Sequence, residues 1–359
     1  MKAAARETLY KTGKPLKRTL RVAYPPGQGH LVLRTELDWN LDRKPVSVSP
    51  DGVISTFELE ARQPFLYFKP VLVQGAERHW AVGDNNLLLM GEDDTRVSYP
   101  FFFGAPVGSF SPLIEFPSEI LGRTHKVKVY LPPGYNENTE ARYPVAFMQD
   151  GQNLFFPDEA FMGRDWGVSR TGTQLRSMGA MEDFIIIGIY SGDRMHEYTK
   201  PGYEQYARSL VEEILPRVDE RLRTLPGRRY RTVWGSSLGG VVSFYCVWQY
   251  PEIFAGGVCM SSTFSFRDDL MERVLTEEKR DVAFYLDSGW PGDNYETTLS
   301  MAMALVSRGW RYGLNLLHFC FPMAEHNEEA WGVRLHLPMQ LLSGSVAKAS
   351  RAHFRVLSD

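Results

Sequence analysis

The sequence predicts an α/β protein: a mostly parallel sheet with helices on both faces, preceded by a small antiparallel β-sandwich. Three observations carry this. From Leu20 to about Met90 the chain is a series of short strand-like runs with no helical period. From about Lys126 short apolar strands alternate with longer helical patterns. Between them, Ser98 to about Pro112 is rich in aromatics, glycine and proline and reads as a linker. The expected domains are 1–105 and 106–359, in keeping with a length greater than one core usually organises.

In the first half, LRVAY, HLVLRTEL, PVSVS, VISTFELE and FLYFKPVLVQ are rich in β-branched and aromatic residues. Pro25-Pro26-Gly27, Pro50-Asp51-Gly52 and Gln74-Gly75 separate them as turns. This is the pattern of a sandwich. In the second half the strands are VKVYLP, PVAFMQ, FIIIGIY, YRTVWG, GGVCMS, VAFYLD and LNLLHF. Between two of them, Leu210, Ile214, Val218 and Leu222 recur at helical spacing, with Glu212, Glu213 and Arg217 on the other face. Alternation of this kind implies a parallel sheet, whose sites lie at the C-terminal ends of its strands.

Composition narrows the function classes. The formal net charge is −3, and lysine and arginine are dispersed among acids. Nucleic acid is not expected, because phosphate binding needs a concentrated basic face. Cys246, Cys259 and Cys320 form an odd, sparse set inside apolar stretches and read as buried small hydrophobes. No Cys/His cluster has metal-ligand spacing, so no metal or cofactor is expected. The N-terminal stretch MKAAARETLYKTGKPLKRTLRV is basic without an apolar core, and the most apolar run, Phe184 to Tyr190, is too short for a bilayer. The expected compartment is the cytoplasm, with no membrane partner.

The strongest chemical signal is Gly235-Ser236-Ser237-Leu238-Gly239. The strand-like run Tyr230–Trp234 precedes it and a helical run to Gln249 follows. This is the pattern of a nucleophile elbow: the serine occupies a strained turn, and flanking glycines remove side-chain atoms that would collide with it. Ser237 is in register with the two glycines; Ser236 is not. The helix start after Ser237 presents free N–H groups near a developing negative charge, so the Leu238 N–H is one expected oxyanion donor. Asp150-Gly151-Gln152-Asn153, after the strand PVAFMQ, is expected to supply the second from Gly151 or Gln152.

With an elbow serine, an acid and then a histidine should follow in chain order. His326 lies in PMAEHNEEAW, a loop after the last strand, where an imidazole can take and return a proton. His318 lies within the strand pattern and reads as a core histidine. His30, His79, His125 and His196 precede the elbow; His336 and His353 sit on the closing helix and tail. For the acid the candidates are Asp287, which closes the strand VAFYLD, and Asp293 and Glu296, which follow it. Asp293 is favoured because a loop carboxylate can turn towards an imidazole at the sheet edge. Trp166, Trp290 and Trp331, near these motifs, are candidate walls of an acyl or aryl pocket.

Several stretches together resemble the putative-esterase family of α/β-hydrolases, which includes enterochelin esterase-like enzymes, feruloyl and acetylxylan esterases, S-formylglutathione hydrolase and the mycolyltransferases. They are VKVYLPPGY (127–135), PVAFMQDGQNLF (144–155), IGIYSGDRMHEYT (187–199), VWGSSLGG (233–240), YLDSGWPGDN (285–294) and AEHNEEAW (324–331). They cover most of residues 118–343 in family order. The resemblance implies the α/β-hydrolase fold, a Ser237–Asp293–His326 triad and an oxyanion loop at Asp150–Gln152. Arg194 and Glu197 fall in its Arg-x-x-Glu-Tyr stretch, where an ion pair lining the cleft is expected, with substrate contact the alternative. LDWN, FELE and YFKPVLVQGAERHWAVGDNN are similar to the early-set sandwiches of glycogen-active enzymes. Trp39 and Trp80 are accordingly candidates for carbohydrate contact, although a structural or cleft-covering role is favoured. The expected function is hydrolysis of a small-molecule carboxylic ester through an acyl-enzyme, on an aryl, catechol or other intracellular ester. Acyl transfer by the same triad, and a non-catalytic binding protein retaining the fold, are the alternatives.

Overall fold

The structure is a computed structural model describing residues 14–90 and 96–343. The first thirteen residues of the basic N-terminal stretch, and His353, lie outside the described residues. The chain divides into two compact units: one runs through Gly108 and takes in Pro133–Ala141, and the other comprises Ser109–Pro132 and the chain from Arg142 onward.

The first unit has two sheets. One orders the strands Ser47–Val48, Ile54–Ala61, Leu16–Ala23 and Arg96–Ser98. The other orders Asp38–Arg43, His30–Thr35, Phe65–Gln74 and Glu77–Trp80, with Asn86–Leu89 also paired to Phe65–Gln74. All pairings are antiparallel except that of Leu16–Ala23 with Arg96–Ser98. Alternation builds the core: in Ile54–Ala61 every second residue is buried, so Phe57 and Leu59 face inward with Leu20, Val22, Leu33 and Phe68. Gly52 and Gly75 adopt φ of +75° and +59°, which explains glycine at those turns. Asp38–Arg43, Glu77–Trp80, Asn86–Leu89 and Arg96–Ser98 are further strands without a clear sequence pattern: the first two are largely exposed, and the last two are only four and three residues long.

Pro133–Ala141 is tied into this unit by polar contacts. The buried Asn138 amide donates to the carbonyls of Ala23 (2.9 Å) and Pro100 (2.7 Å). The Glu137 carboxylate accepts from the Tyr24 hydroxyl and from the N–H groups of Phe102, Phe103 and Gly104. Trp80 is 40% exposed, and the Arg34 guanidinium lies over its ring at 4.9 Å while pairing with Asp42.

The second unit holds a nine-stranded sheet. Its order is Ser109–Phe110, Arg123–Leu131, Ile185–Ile189, Val145–Met148, Arg231–Ser236, Gly256–Met260, Ala283–Trp290 and Leu316–Pro322, with Ile114–Ser118 hairpinned onto Arg123–Leu131. From Ile185–Ile189 onward every pairing is parallel. The central strands are buried on both faces and therefore read as continuous apolar runs. The helix Leu238–Gln249 is buried at every position but its last, which fits its unbroken hydrophobicity.

Three expectations need correction. The helical pattern over 204–224 is not one α-helix: Gly202–Ser209 passes through a wide π turn at Leu210–Ile214 into Leu215–Arg221. Pro216 follows that turn; it has no N–H, and its ring crowds the preceding carbonyls, so the wider turn accommodates it. Asp287 does not end its strand, which continues to Trp290, paired with Pro322. Cys320 is exposed, because Leu316–Pro322 is the edge strand; Cys246 and Cys259 are buried.

Replacing Asn138 by alanine leaves two buried carbonyls without their donor. The cost should be about 2 kcal/mol, read as a lower urea midpoint for the first unit; an unchanged midpoint would show that the amide is not a tie.

Candidate active site

Ser237 sits between the strand Arg231–Ser236 and the helix Leu238–Gln249 with φ 55° and ψ −125°. This is a strained conformation for a residue with a side chain. Its N–H donates to the Met260 carbonyl of the neighbouring strand (2.9 Å), while its own carbonyl accepts from Gly240 and Val241 in the helix. The glycines are needed for contact. A Cβ on Gly235 would lie 2.3 Å from the Gly239 carbonyl oxygen, and one on Gly240 would lie 2.0 Å from the Ser262 Oγ. Strand and helix can close at this angle only without those atoms.

His326 and Asp293 converge on this serine. The Ser237 Oγ is 2.9 Å from His326 Nε2, and His326 Nδ1 is 2.7 Å from Asp293 Oδ1. An ionised carboxylate only accepts, so Nδ1 carries the proton and Nε2 is left to accept from the serine. His326 directly precedes Asn327, whose side chain caps the helix Glu328–Arg334 by accepting from the Ala330 N–H (2.9 Å). The Trp331 ring meets the imidazole edge-on at 5.1 Å.

Asp293 is held by four donors. Oδ1 accepts from the Asn294 N–H (2.7 Å) besides His326; Oδ2 accepts from the Gly289 N–H (2.7 Å) and the Ser261 hydroxyl. Burial alone would raise its pKa, but the bonds from His326, Ser261 and the two N–H groups outweigh it and bring the carboxyl down to about 2. The other two acid candidates go elsewhere. Asp287 is fully buried against Arg334, with Nη2 3.0 Å from Oδ1, and accepts from the Tyr285 hydroxyl (2.9 Å). Its burial pushes its pKa up, against the pull of Arg334. Glu296 is exposed in the first turn of Tyr295–Ser307. His318 contacts Thr298 Oγ1 (3.1 Å) from within its strand, and burial lowers its pKa.

The loop Asp150–Asn153 is a short 3-10 turn entered through Asp150 at φ 53°. Gly151 is required here, since a Cβ would lie 2.5 Å from the Gly188 carbonyl carbon. Among the described residues, the N–H groups of Gly151, Gln152 and Leu238 donate to no acceptor. The Gln152 side chain turns away to Ser191, fixing the backbone. Arg194 pairs with Asp150 (Nε–Oδ1 3.0 Å) and reaches the Ser236 carbonyl at 3.4 Å. The expected Arg194–Glu197 pair is therefore absent: Glu197 is taken by Arg123. Trp166, a candidate pocket wall for which a core position is the commoner reading, is 2% exposed and packs on Trp331 in the core. Trp290 is 49% exposed at the end of the acid's strand. Sequence reading did not single out Ser261 or Arg334. Their signal was positional: Ser261 follows a parallel strand directly, and Arg334 closes the helix after His326.

A parallel-sheet fold with a serine on this kind of elbow defines an α/β-hydrolase. The family model described as "Putative esterase" matches residues 118–336, and the chain belongs to that family, a family of serine ester hydrolases. An uncharacterized protein, YjcH of Bacillus subtilis, is 28% identical over 189 residues, covering 51% of this chain and 74% of that protein. A ferulic acid esterase structure is 19% identical with a TM-score of 0.56, covering 66% of this chain and 98% of the other. The enterobactin esterase FES from Shigella flexneri, in the presence of enterobactin, is 14% identical with a TM-score of 0.54. It covers 95% of this chain and 98% of its own, so the shared fold extends over the N-terminal unit. Among the described residues no helix is long and apolar enough to cross a membrane.

The depressed Asp293 pKa links stability to pH. A carboxyl lowered in the folded state contributes above its unfolded value and loses that contribution as pH falls through its folded one. From 3.8 unfolded to about 2 folded, about 2 kcal/mol should vanish between roughly pH 4 and 2. Thermal melts at pH 4.5 and 2.5 should show a smaller acid loss in Asp293→Asn than in the native chain; equal losses would contradict the assigned shift.

Proposed function

We propose that the protein hydrolyses a carboxylic ester through an acyl-enzyme, with Ser237 as nucleophile, His326 as base and then acid, and Asp293 as the orienting carboxylate. The observation that supports this is the unbroken hydrogen-bond chain from the Ser237 hydroxyl through His326 to Asp293. Ser237 Oγ attacks the ester carbonyl as its proton passes to His326 Nε2. The resulting oxyanion is met by the Leu238 N–H and by the N–H of Gly151 or Gln152. As the tetrahedral intermediate collapses, the alcohol leaves with the proton from Nε2. Water then attacks the acyl-serine by the same route and releases the acid. Asp293, kept ionised by its four donors, holds Nδ1 protonated throughout.

The proposed substrates are aryl esters of the feruloyl or catecholoyl type. The names of the structural neighbours, ferulic acid esterase and enterobactin esterase, support this reading. So does the half-exposed Trp290 beside the acid, which offers an aromatic face to an aryl acyl group. Product analysis on acetyl, feruloyl and catecholoyl esters tests it: acetyl hydrolysis alone would refute the aryl assignment.

Ser237→Ala should lose about 10⁴- to 10⁶-fold in kcat on a nitrophenyl ester and all labelling by a fluorophosphonate. Activity within tenfold of native, with Ser236→Ala as control, would remove Ser237 from the mechanism. Asp293→Asn should cost about 10³- to 10⁴-fold; a larger loss in Glu296→Gln would transfer the role of acid.

A further inference from the structure

The Ser261 hydroxyl lies in the core behind the triad, at the C-terminal end of Gly256–Met260. Its oxygen accepts from Trp331 Nε1 at 2.9 Å and from Arg334 Nη2 at 2.6 Å. Both groups can only donate. A hydroxyl has two lone pairs and one proton, so with both lone pairs taken the proton has one use left. The acceptor in reach is Asp293 Oδ2. Ser261 is itself held at φ 44°, and its N–H donates to the Asp287 carbonyl (2.7 Å). Asn294 Nδ2 donates to its carbonyl (2.8 Å). Rotation of this hydroxyl would strand two buried donors, which makes its direction a property of the packing.

We propose that Ser261 is the positioning residue of the catalytic acid: Trp331 and Arg334 force its hydroxyl to donate to Asp293 Oδ2, which fixes the carboxylate's orientation and limits its hold on the imidazole proton. This rests on the triad reading. Without that donor, the Asp293 charge is concentrated on His326, and the imidazolium is stabilised. Other charges face the pair. Arg334 lies 3.7 Å from Asp293 and is itself balanced by Asp287, which Tyr285 also bonds. Glu328, whose pKa burial raises, is within charge range of His326, Asp150 and Arg194. Cys320 and Glu296 lie towards the strand edge. Of these, only Arg334 touches the Ser261 oxygen; when that oxygen is removed, Arg334 keeps its pairing with Asp287.

The test is the pH dependence of kcat/KM for the full chain on nitrophenyl acetate, comparing native protein with Ser261→Ala and Asp293→Asn. Ser261→Ala should lower kcat about tenfold, leave KM within about twofold, and move the acidic limb upward by about half a pH unit. A purely structural defect reduces the active fraction without moving that limb. Trp331→Phe keeps the ring but frees one lone pair, and should give a smaller shift of the same sign. If Ser261→Ala does not fold, Ser261→Cys, which retains volume and a weak donor, should show an intermediate shift. An unmoved limb in the folded Ser261 variant, with Asp293→Asn crippled, overturns the positioning role alone. A near-native Asp293→Asn overturns the triad reading and this inference with it.

Discussion

The site depends first on the backbone of Ser237. A non-glycine residue at φ 55° and ψ −125° carries a local cost of about 1–3 kcal/mol, and the surrounding contacts offset it. The N–H is held by the Met260 carbonyl in the next strand, and the carbonyl by the buried first turn of the helix Leu238–Gln249. The strand end, the serine and the helix start thus move as one piece. Gly235 and Gly240 let this piece close, because side chains there would occupy the space of the Gly239 backbone and the Ser262 hydroxyl.

A second constraint is charge. A carboxylate withdrawn from water needs donors, and Asp293 has four, from the imidazole, a hydroxyl and two backbone N–H groups. One short segment provides much of this arrangement. His326 precedes the cap Asn327, and the following helix places Trp331 and Arg334 about one and two turns further on. Those two side chains reach Ser261, and Ser261 reaches Asp293. Arg194 joins the loop Asp150–Asn153 to the elbow through Asp150 and the Ser236 carbonyl. Ser237, Asp293, His326 and the loop Asp150–Asn153 are each cross-braced by a neighbouring side chain or backbone group. Such bracing supplies the preorganisation that electrostatic catalysis requires.

Much of this was legible locally. Seven of the nine strands of the second unit appear as apolar runs, most clearly the central parallel ones covered on both faces, and the longer strands of the first unit appear by alternation because one face is wet. Ser237 stands out by register with its glycines, since the requirement for space acts within five residues. Other features were not local. The break at Leu210–Ile214 arises where Pro216 overrides an otherwise regular apolar stripe. Trp166 and Trp290 look alike in sequence, yet one is in the core and the other is half exposed. Pro133–Ala141 lies within the stretch of α/β alternation but is bonded to the sandwich through Asn138 and Glu137.

By itself the sequence determined the two kinds of secondary-structure pattern, the elbow and the chain order of serine, carboxylates and histidine. Each of these is set by sterics and periodicity over a few residues. Sequence position favours Asp293 over Asp287, but only the tertiary structure shows what occupies each carboxylate. They stand six residues apart in the chain, and either could serve an imidazole by composition. The strand's extension to Trp290 leaves Asp287 inside the sheet, where the distant Arg334 neutralises it, and releases Asp293 into the loop that meets His326. Choosing between two carboxylates is a question of which charge is already paired, and that pairing comes from residues far away in the chain.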